Sequence, residues 1–188
     1  MLLRYTMSVI GIVGSPRVNG NSETIVDSVL AGAKANGKEV KKYNLNKMNI
    51  KGCQACMGCK KNGTCVQKDD LRELLEDVKK ADALVLSTPL YFSQPSAQFR
   101  LFWDRCYSFM GMDFSPFIAG GKKLVTIVTC GSQGDVAGKV ADNIEGMFAA
   151  MFKMIPSGKI VMANGGPTTA AKENKDIMNK AELIGKAL

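Results

Sequence analysis

Short apolar runs alternate with amphipathic stripes along the whole chain. Ser8-Val9-Ile10-Gly11-Ile12-Val13, Ala83-Leu84-Val85-Leu86-Ser87-Thr88 and Leu124-Val125-Thr126-Ile127-Val128-Thr129 are nearly continuous apolar runs. Strands covered by helices on both faces have this pattern. Glu39 to Leu45 is more polar and suits a sheet edge, and Lys159-Ile160-Val161-Met162 reads as a short fifth strand. Between the strands lie helical stripes. Asn21–Ser22 offers an N-cap for a helix carrying Ile25, Val26, Val29, Leu30 and Ala33, and Asn36–Gly37 ends it. Asp69–Asp70 begins a helix with Leu71, Leu74, Leu75 and Val78 on its buried face. A third helix follows Pro95–Ser96 and carries Phe99, Phe102, Trp103 and Cys106, with Trp103 and Cys106 expected in the core. The fourth runs from about Asp135 to Phe152, with Val136, Val140, Ile144, Met147 and Met151 expected inward. Thr169 to Leu188 reads as a final helix, and Met110 to Gly121 as an irregular, glycine-rich segment.

Five strands with intervening helices predict an α/β, doubly wound parallel sheet with helices on both faces. For five strands the flavodoxin-like order 2-1-3-4-5 is favoured, and ligands then bind beyond the C-terminal ends of strands one and three. The loops to inspect follow Val13, Thr88 and Thr129, and Pro89 is expected to stop the third strand. The 188 residues read as a single domain, with a cysteine-rich loop over 46–68. Met7 opens the first strand, which leaves residues 1–6 as a flexible extension or an upstream start.

The first loop, Gly14-Ser15-Pro16-Arg17-Val18-Asn19-Gly20-Asn21-Ser22, is small, hydroxylated and amide-rich and runs into a helix N-terminus. Such a terminus has free N–H groups and a partial positive charge, which favour a phosphate. Ser15, Asn21 and Ser22 offer side-chain hydrogen bonds, and Arg17 a charge-assisted one. The plain alternative is a strand–helix connection with a capping residue. Neither a Gly-x-x-x-x-Gly-Lys-Ser/Thr nor a Gly-x-Gly-x-x-Gly sequence is present, which disfavours a nucleoside triphosphatase and a dinucleotide site. In the second loop, Pro89, Leu90, Tyr91, Phe92 and Ser93 put two adjacent aromatics at a stiff strand end. A planar ring could stack there, with backbone amides along its polar edge; packing of Tyr91 and Phe92 onto the sheet edge is the alternative. The third loop, Cys130-Gly131-Ser132-Gln133-Gly134-Asp135, again opens a helix.

Charge narrows the chemistry. The chain carries a net +8 spread as scattered lysine pairs, the pattern of a solvated surface more than of a nucleic-acid stripe. It has no histidine, which removes histidine bases, triads and histidine metal ligands. No apolar run approaches the ~18–20 residues of a membrane span. The short start Met1-Leu2-Leu3-Arg4 does not resemble a secretory signal, so the expected compartment is the cytoplasm.

Cysteines there are expected to be ligands or free thiols. Cys53, Cys56, Cys59 and Cys65 follow a Cys-x2-Cys-x2-Cys-x5-Cys spacing. The first three match the ferredoxin-type spacing for an iron–sulfur cluster. Cys65 departs from it and is read as ligating the same centre, since no second motif exists. Zinc is the rival, although the usual long gap between two knuckles is missing. Four free thiols are the third reading.

Three motifs carry a resemblance. Gly14 to Ser22 is similar to the phosphate loop of the NAD(P)H-dependent FMN reductase-like flavoproteins, and Pro89 to Phe92 to their ring-contacting turn. The four cysteines followed by Lys68-Asp69-Asp70 resemble the iron–sulfur flavoprotein branch. The resemblance implies FMN held by Ser15, Arg17, Asn19, Gly20, Asn21, Ser22, Pro89, Leu90, Tyr91, Phe92 and Ser93, with Gly131 and Ser132 added from the third loop. It implies a 4Fe-4S cluster on Cys53, Cys56, Cys59 and Cys65, NAD(P)H as an electron donor, and a homodimer or homotetramer. The expected function is electron transfer between FMN, the cluster and a small carrier such as ferredoxin, with no catalytic acid or base from the protein. The alternatives are an NAD(P)H-dependent FMN or quinone reductase without a functional cluster, and a thiol redox-sensing or zinc-stabilised interaction module.

Overall fold

The computed structural model describes residues 7–132 and 134–188. The extension expected over residues 1–6, and Gln133 of the third loop, lie outside the described residues. Among the described residues six strands form: β1 Ser8–Val13, β2 Glu39–Asn44, β3 Ala83–Tyr91, β4 Gln94–Pro95, β5 Lys123–Thr129 and β6 Ile155–Met162. The helices are α1 Asn21–Ala35, α2 Asp70–Lys80, α3 Ala97–Arg105, α4 Asp135–Phe152, α5 Ala170–Glu173 and α6 Lys175–Ala187. Five strands pair in parallel in the order β2-β1-β3-β5-β6, while β4 folds back antiparallel on β3. With that two-residue excursion set aside, this is the expected flavodoxin-like order.

Alternation along each strand divides the interior into two cores. Ile10, Ile12, Leu84 and Leu86 point into one, with Leu71, Leu74 and Leu75 of α2, Phe99 and Phe102 of α3, and Ile144 and Phe148 of α4. Val9, Val13, Ala83 and Val85 point into the other, against Ile25, Val26 and Val29 of α1 and Ala181 of α6. Helices therefore cover both faces, as a parallel sheet requires. Small residues set how closely α1 and α6 cross. A Cβ added to Gly185 would strike the Val29 carbonyl, and one added to Gly32 would strike that of Glu182.

Several boundaries and faces differ from the sequence reading. Pro89 does not stop β3, which runs on to Tyr91, with Pro89 paired opposite Thr129. Strand β6 begins at Ile155, and Pro156 is tolerated because β6 lies at the sheet edge. The tail is two helices, broken at Asn174, whose side chain caps α6 by accepting from the Ile177 N–H at 3.0 Å. In α4, Val136 and Met147 are 42% and 43% exposed, while Val140 and Met151 are only partly buried. Its buried face is Ala137, Ala141, Ile144, Phe148 and Phe152. That stripe fits the helical period as well as the expected one, and it puts two phenylalanines inside. Each buried phenylalanine contributes about 1.5–3 kcal/mol. Trp103 is half-buried, its ring edge-on to Phe99 at 5.8 Å, whereas Cys106 is buried as expected. Among the described residues no helix is long and apolar enough to cross a membrane.

Candidate cofactor sites

The C-terminal ends of β1, β3 and β5 converge on one pocket of about 200 Å³. Ser15, Arg17, Asn21, Ser22, Pro89, Leu90, Tyr91, Thr129, Cys130, Gly131, Gly165 and Gly166 line it. Hydroxyls, glycines and the start of α1 make up much of this lining, and among the described residues Arg17 is its one formal charge and no carboxylate takes part. This is the chemistry of an anion cradle. The loop after β1 is held from below: Gly14 N–H donates to Ser87 O at 2.8 Å, and Ser96 Oγ donates to Gly14 O at 2.6 Å. Ser22 Oγ and Thr129 Oγ1 lie 2.8 Å apart and join α1 to β5 at the pocket floor.

Glu23 braces the loop from the side. Its carboxylate accepts from the Asn19 N–H at 2.7 Å and pairs with Lys42 at 2.9 Å. Burial opposes its ionisation, but the bonds from Lys42 and Asn19 outweigh it and hold the carboxyl below its ordinary value. Asn19 itself turns through φ 54°, a left-handed conformation that asparagine tolerates.

Asn21 is not the N-cap; Gly20 is. The Asn21 amide donates to Gly165 O at 3.0 Å and Pro167 O at 2.9 Å, and its oxygen accepts from the Ala171 N–H at 2.9 Å. It thereby fastens the loop after β6 as a pocket wall. A Cβ added to Gly131 or Gly166 would meet nothing within 4 Å, so backbone there borders open space.

At the pocket mouth β3 and β4 form a two-residue hairpin. Phe92 and Ser93 occupy φ 48° and 62°, the left-handed pair of a type I′ turn, without the usual glycine. Phe92 is fully exposed and Tyr91 partly so. The alternative in which both aromatics pack onto the sheet edge is thus not adopted.

The second site is the loop between β2 and α2. Cys53 and Cys56 are exposed, Cys59 is half-buried and Cys65 is buried; all are free thiols. All four line one cavity of about 20 Å³ together with Arg105, Tyr107 and Ser108. Burial raises the Cys59 thiol above its ordinary value, against the opposing charge of Lys60. Lys60 is tied down by the Tyr107 and Met110 carbonyls at 2.7 and 2.8 Å. The neck of the loop closes on Asp69, which accepts from the Lys51 N–H at 3.0 Å and forms a two-pronged pair with Arg105. Asp69 and Arg105 side chains are 8% and 1% exposed. Among the described residues no group of three or more His, Cys, Asp or Glu side chains is arranged to hold a metal ion. The donor set nonetheless fits a sulfur-ligated centre: four thiols on one cavity, and two buried donors beside them, Arg105 Nε and Ser108 Oγ, with no hydrogen-bond partner.

Residues 7–168 match the family described as NADPH-dependent FMN reductase. The chain belongs to that family. An iron-sulfur flavoprotein of Archaeoglobus fulgidus is 34% identical over 134 residues, 70% of this chain and 60% of that protein. One from Methanocaldococcus jannaschii is 30% identical over 169 residues, 89% of this chain and 83% of that protein. Within the NADPH-dependent FMN reductase family, the chain thus falls in the iron-sulfur flavoprotein branch. It spans about half to three fifths of the length of the first curated relatives it matches. An FMN-dependent NADH-azoreductase from Bacillus anthracis, solved in complex with FMN, shares the fold at a TM-score of 0.73 and 12% identity, over 96% of this chain and 98% of that one.

In this member of the NADPH-dependent FMN reductase family, most of the expected FMN residues share the pocket. Ser15, Arg17, Asn21, Ser22, Pro89, Leu90, Tyr91 and Gly131 line it, whereas Asn19, Gly20, Phe92, Ser93 and Ser132 do not. Ser93 instead lines a neighbouring cavity of about 350 Å³ with Gln94, Trp103 and Lys139. Cys130 opens the third loop named in the sequence, whereas Thr129, Gly165 and Gly166 line the pocket without having been singled out. The Gly165-Gly166-Pro167 run just beyond the last strand was the available signal.

Proposed function

We propose that this chain is an FMN-dependent electron-transfer oxidoreductase whose cysteine loop carries a 4Fe-4S cluster. The observation that carries the reading is the cavity lined by all four cysteines, in the same domain as a carboxylate-free pocket at a helix N-terminus. The names of the curated relatives, and the family description, support the pairing of the two groups. When bound, these groups supply the exchange between two-electron and one-electron transfer.

The chain's own residues bind and orient. The α1 N-terminus, Ser15, Ser22 and Arg17 would hold the phosphate of FMN, and Pro89, Leu90 and Tyr91 line the side of the pocket left for its ring. Cys53, Cys56, Cys59 and Cys65 hold the iron. No protein acid or base is required, which accords with the absence of histidine. The net charge of +8 favours an acidic partner, and a small carrier such as ferredoxin is the proposed acceptor or donor. The proposed working form is a cytoplasmic homodimer or homotetramer.

A second reading is an NAD(P)H-dependent FMN or quinone reductase without a working cluster. The family description, NADPH-dependent FMN reductase, favours it. Anaerobic purification, with iron, acid-labile sulfide and flavin measured against protein, separates the two. The first reading expects brown protein with iron, sulfide and FMN. Yellow, iron-free protein that oxidises NADPH would replace it with the second.

A further inference from the structure

Three buried polar atoms among the described residues lack a hydrogen-bond partner: Arg105 Nε, Ser108 Oγ and Thr126 Oγ1. Thr126 sits within β5 in the sheet. The other two belong to residues that line the cysteine cavity. Buried donors without partners are rare, because a donor removed from water and left unpaired is costly. Two of them around one cavity point to an acceptor that belongs there.

The geometry of Arg105 shows which acceptor remains. Nη1 donates to Lys51 O and to Asp69 Oδ2, both at 2.9 Å, and Nη2 donates to Asp69 Oδ1 at 3.0 Å. The carboxylate fork is thereby occupied, and Nε–H lies outside it. Burial pulls the guanidinium pKa down, but the hydrogen bonds and charge of Asp69 and of the Cys65 sulfur more than restore it, which marks Cys65 as the sulfur nearest the free donor. The cavity beside Arg105 offers cysteine sulfur, and sulfur that carries negative charge accepts N–H and O–H donors.

We propose that Arg105 Nε–H and Ser108 Oγ–H are positioning donors to the sulfur atoms of the cysteine-bound cluster and raise its reduction potential. This rests on the reading in which the loop carries a cluster. Hydrogen bonds to cluster sulfurs stabilise the more negative, reduced form. Since Asp69 already balances the guanidinium charge, the oriented N–H bond acts rather than the net charge. Lysine at position 105 would keep an ion pair with Asp69 but lose the third donor.

The test is a dye-mediated redox titration of anaerobic, full-length protein, with iron content measured in parallel. Ser108→Ala and Arg105→Lys are expected to keep iron and FMN and to shift the cluster potential negative. Ser108→Thr is expected to restore it, which a purely structural role would not do. Should Arg105→Lys fail to fold, Ser108→Ala and Ser108→Thr decide alone. Unshifted potentials with iron retained would overturn the proposal and leave the cluster reading intact. Iron lost from Arg105→Lys, with Ser108→Ala unshifted, would also overturn it and leave Arg105 as a staple of the loop. Wild-type protein without iron would remove the cluster reading and this proposal together.

Discussion

The Arg105 guanidinium meets the Asp69 carboxylate end-on, with Nη1 2.9 Å from Oδ2 and Nη2 3.0 Å from Oδ1. One partner ends α3 and the other stands just before α2, so the pair joins the exit of the cysteine loop to the opposite helix. Lys51 joins the same pair from the entry of the loop.

Removing the carboxylate leaves a buried cation without its partner. Asp69→Ala is therefore expected to destabilise the protein by about 3–5 kcal/mol. Denaturant unfolding of the two proteins measures it, and a loss under about 1 kcal/mol would class the pair with ordinary surface bridges.

The same pair gives a pH dependence of definite sign. Burial pushes the Asp69 carboxyl up, but the bonds from Arg105 and Lys51 pull it below its ordinary value. A depressed folded pKa contributes stability that is complete above the unfolded value of about 3.9. That stability disappears as pH falls through the lower folded value. Wild-type protein should lose stability more steeply than Asp69→Asn below about pH 4. Parallel slopes for the two proteins would sink the assignment.

Gly166 borders open space in the pocket. Gly166→Val should leave the melting temperature close to wild type while excluding ligand. Overpacking by a branched side chain costs about 1–3 kcal/mol, or roughly five- to 150-fold in FMN affinity. Fluorescence titration of the flavin-free protein reads this directly; undiminished affinity would move FMN out of the pocket.

Among the described residues Arg17 is the single formal charge in that lining. Arg17→Ala should weaken FMN by about 0.5–1.5 kcal/mol and leave riboflavin, which lacks the phosphate, nearly unchanged. The FMN difference should shrink at high salt, because Arg17 is exposed. Equal losses for both ligands would mean that Arg17 contacts something other than phosphate.

Cys59→Ser should abolish iron binding and retain FMN, whereas Cys106→Ser should retain both. Cys106 is buried and its thiol donates to Phe102 O at 3.4 Å, away from the cysteine cavity lining. Iron that survives Cys59→Ser would remove that residue from the ligand set.

The sheet order was legible because β1, β3 and β5 are apolar on both sides, a pattern that only a doubly covered sheet explains. The ends of elements were less so. Proline at position 89 signals a stop, but its missing N–H is harmless where the strand end turns into a hairpin. The faces of α4 were misread because Val136 and Met147 outweigh Ala137 and Ala141 in hydrophobicity, yet the small side chains are what let α4 lie close on the sheet. For the pocket, the loops named by the switch-point rule supplied most of the lining. The wall from Gly165 and Gly166 depends on Asn21, whose amide looks like an ordinary cap in sequence and reaches across about 150 positions. The link from Arg105 to the cysteine loop carries no local signal either, since it lies 36 positions from Asp69.

Asn21 has one more consequence, for the order in which the protein is made. Its three bonds reach Gly165, Pro167 and Ala171. A growing chain that has already released β1, β3 and β5 still lacks this wall. Closure of the pocket during synthesis therefore waits for residues 165–171 to leave the ribosome, and a chain released early would carry the cysteine loop with that pocket open.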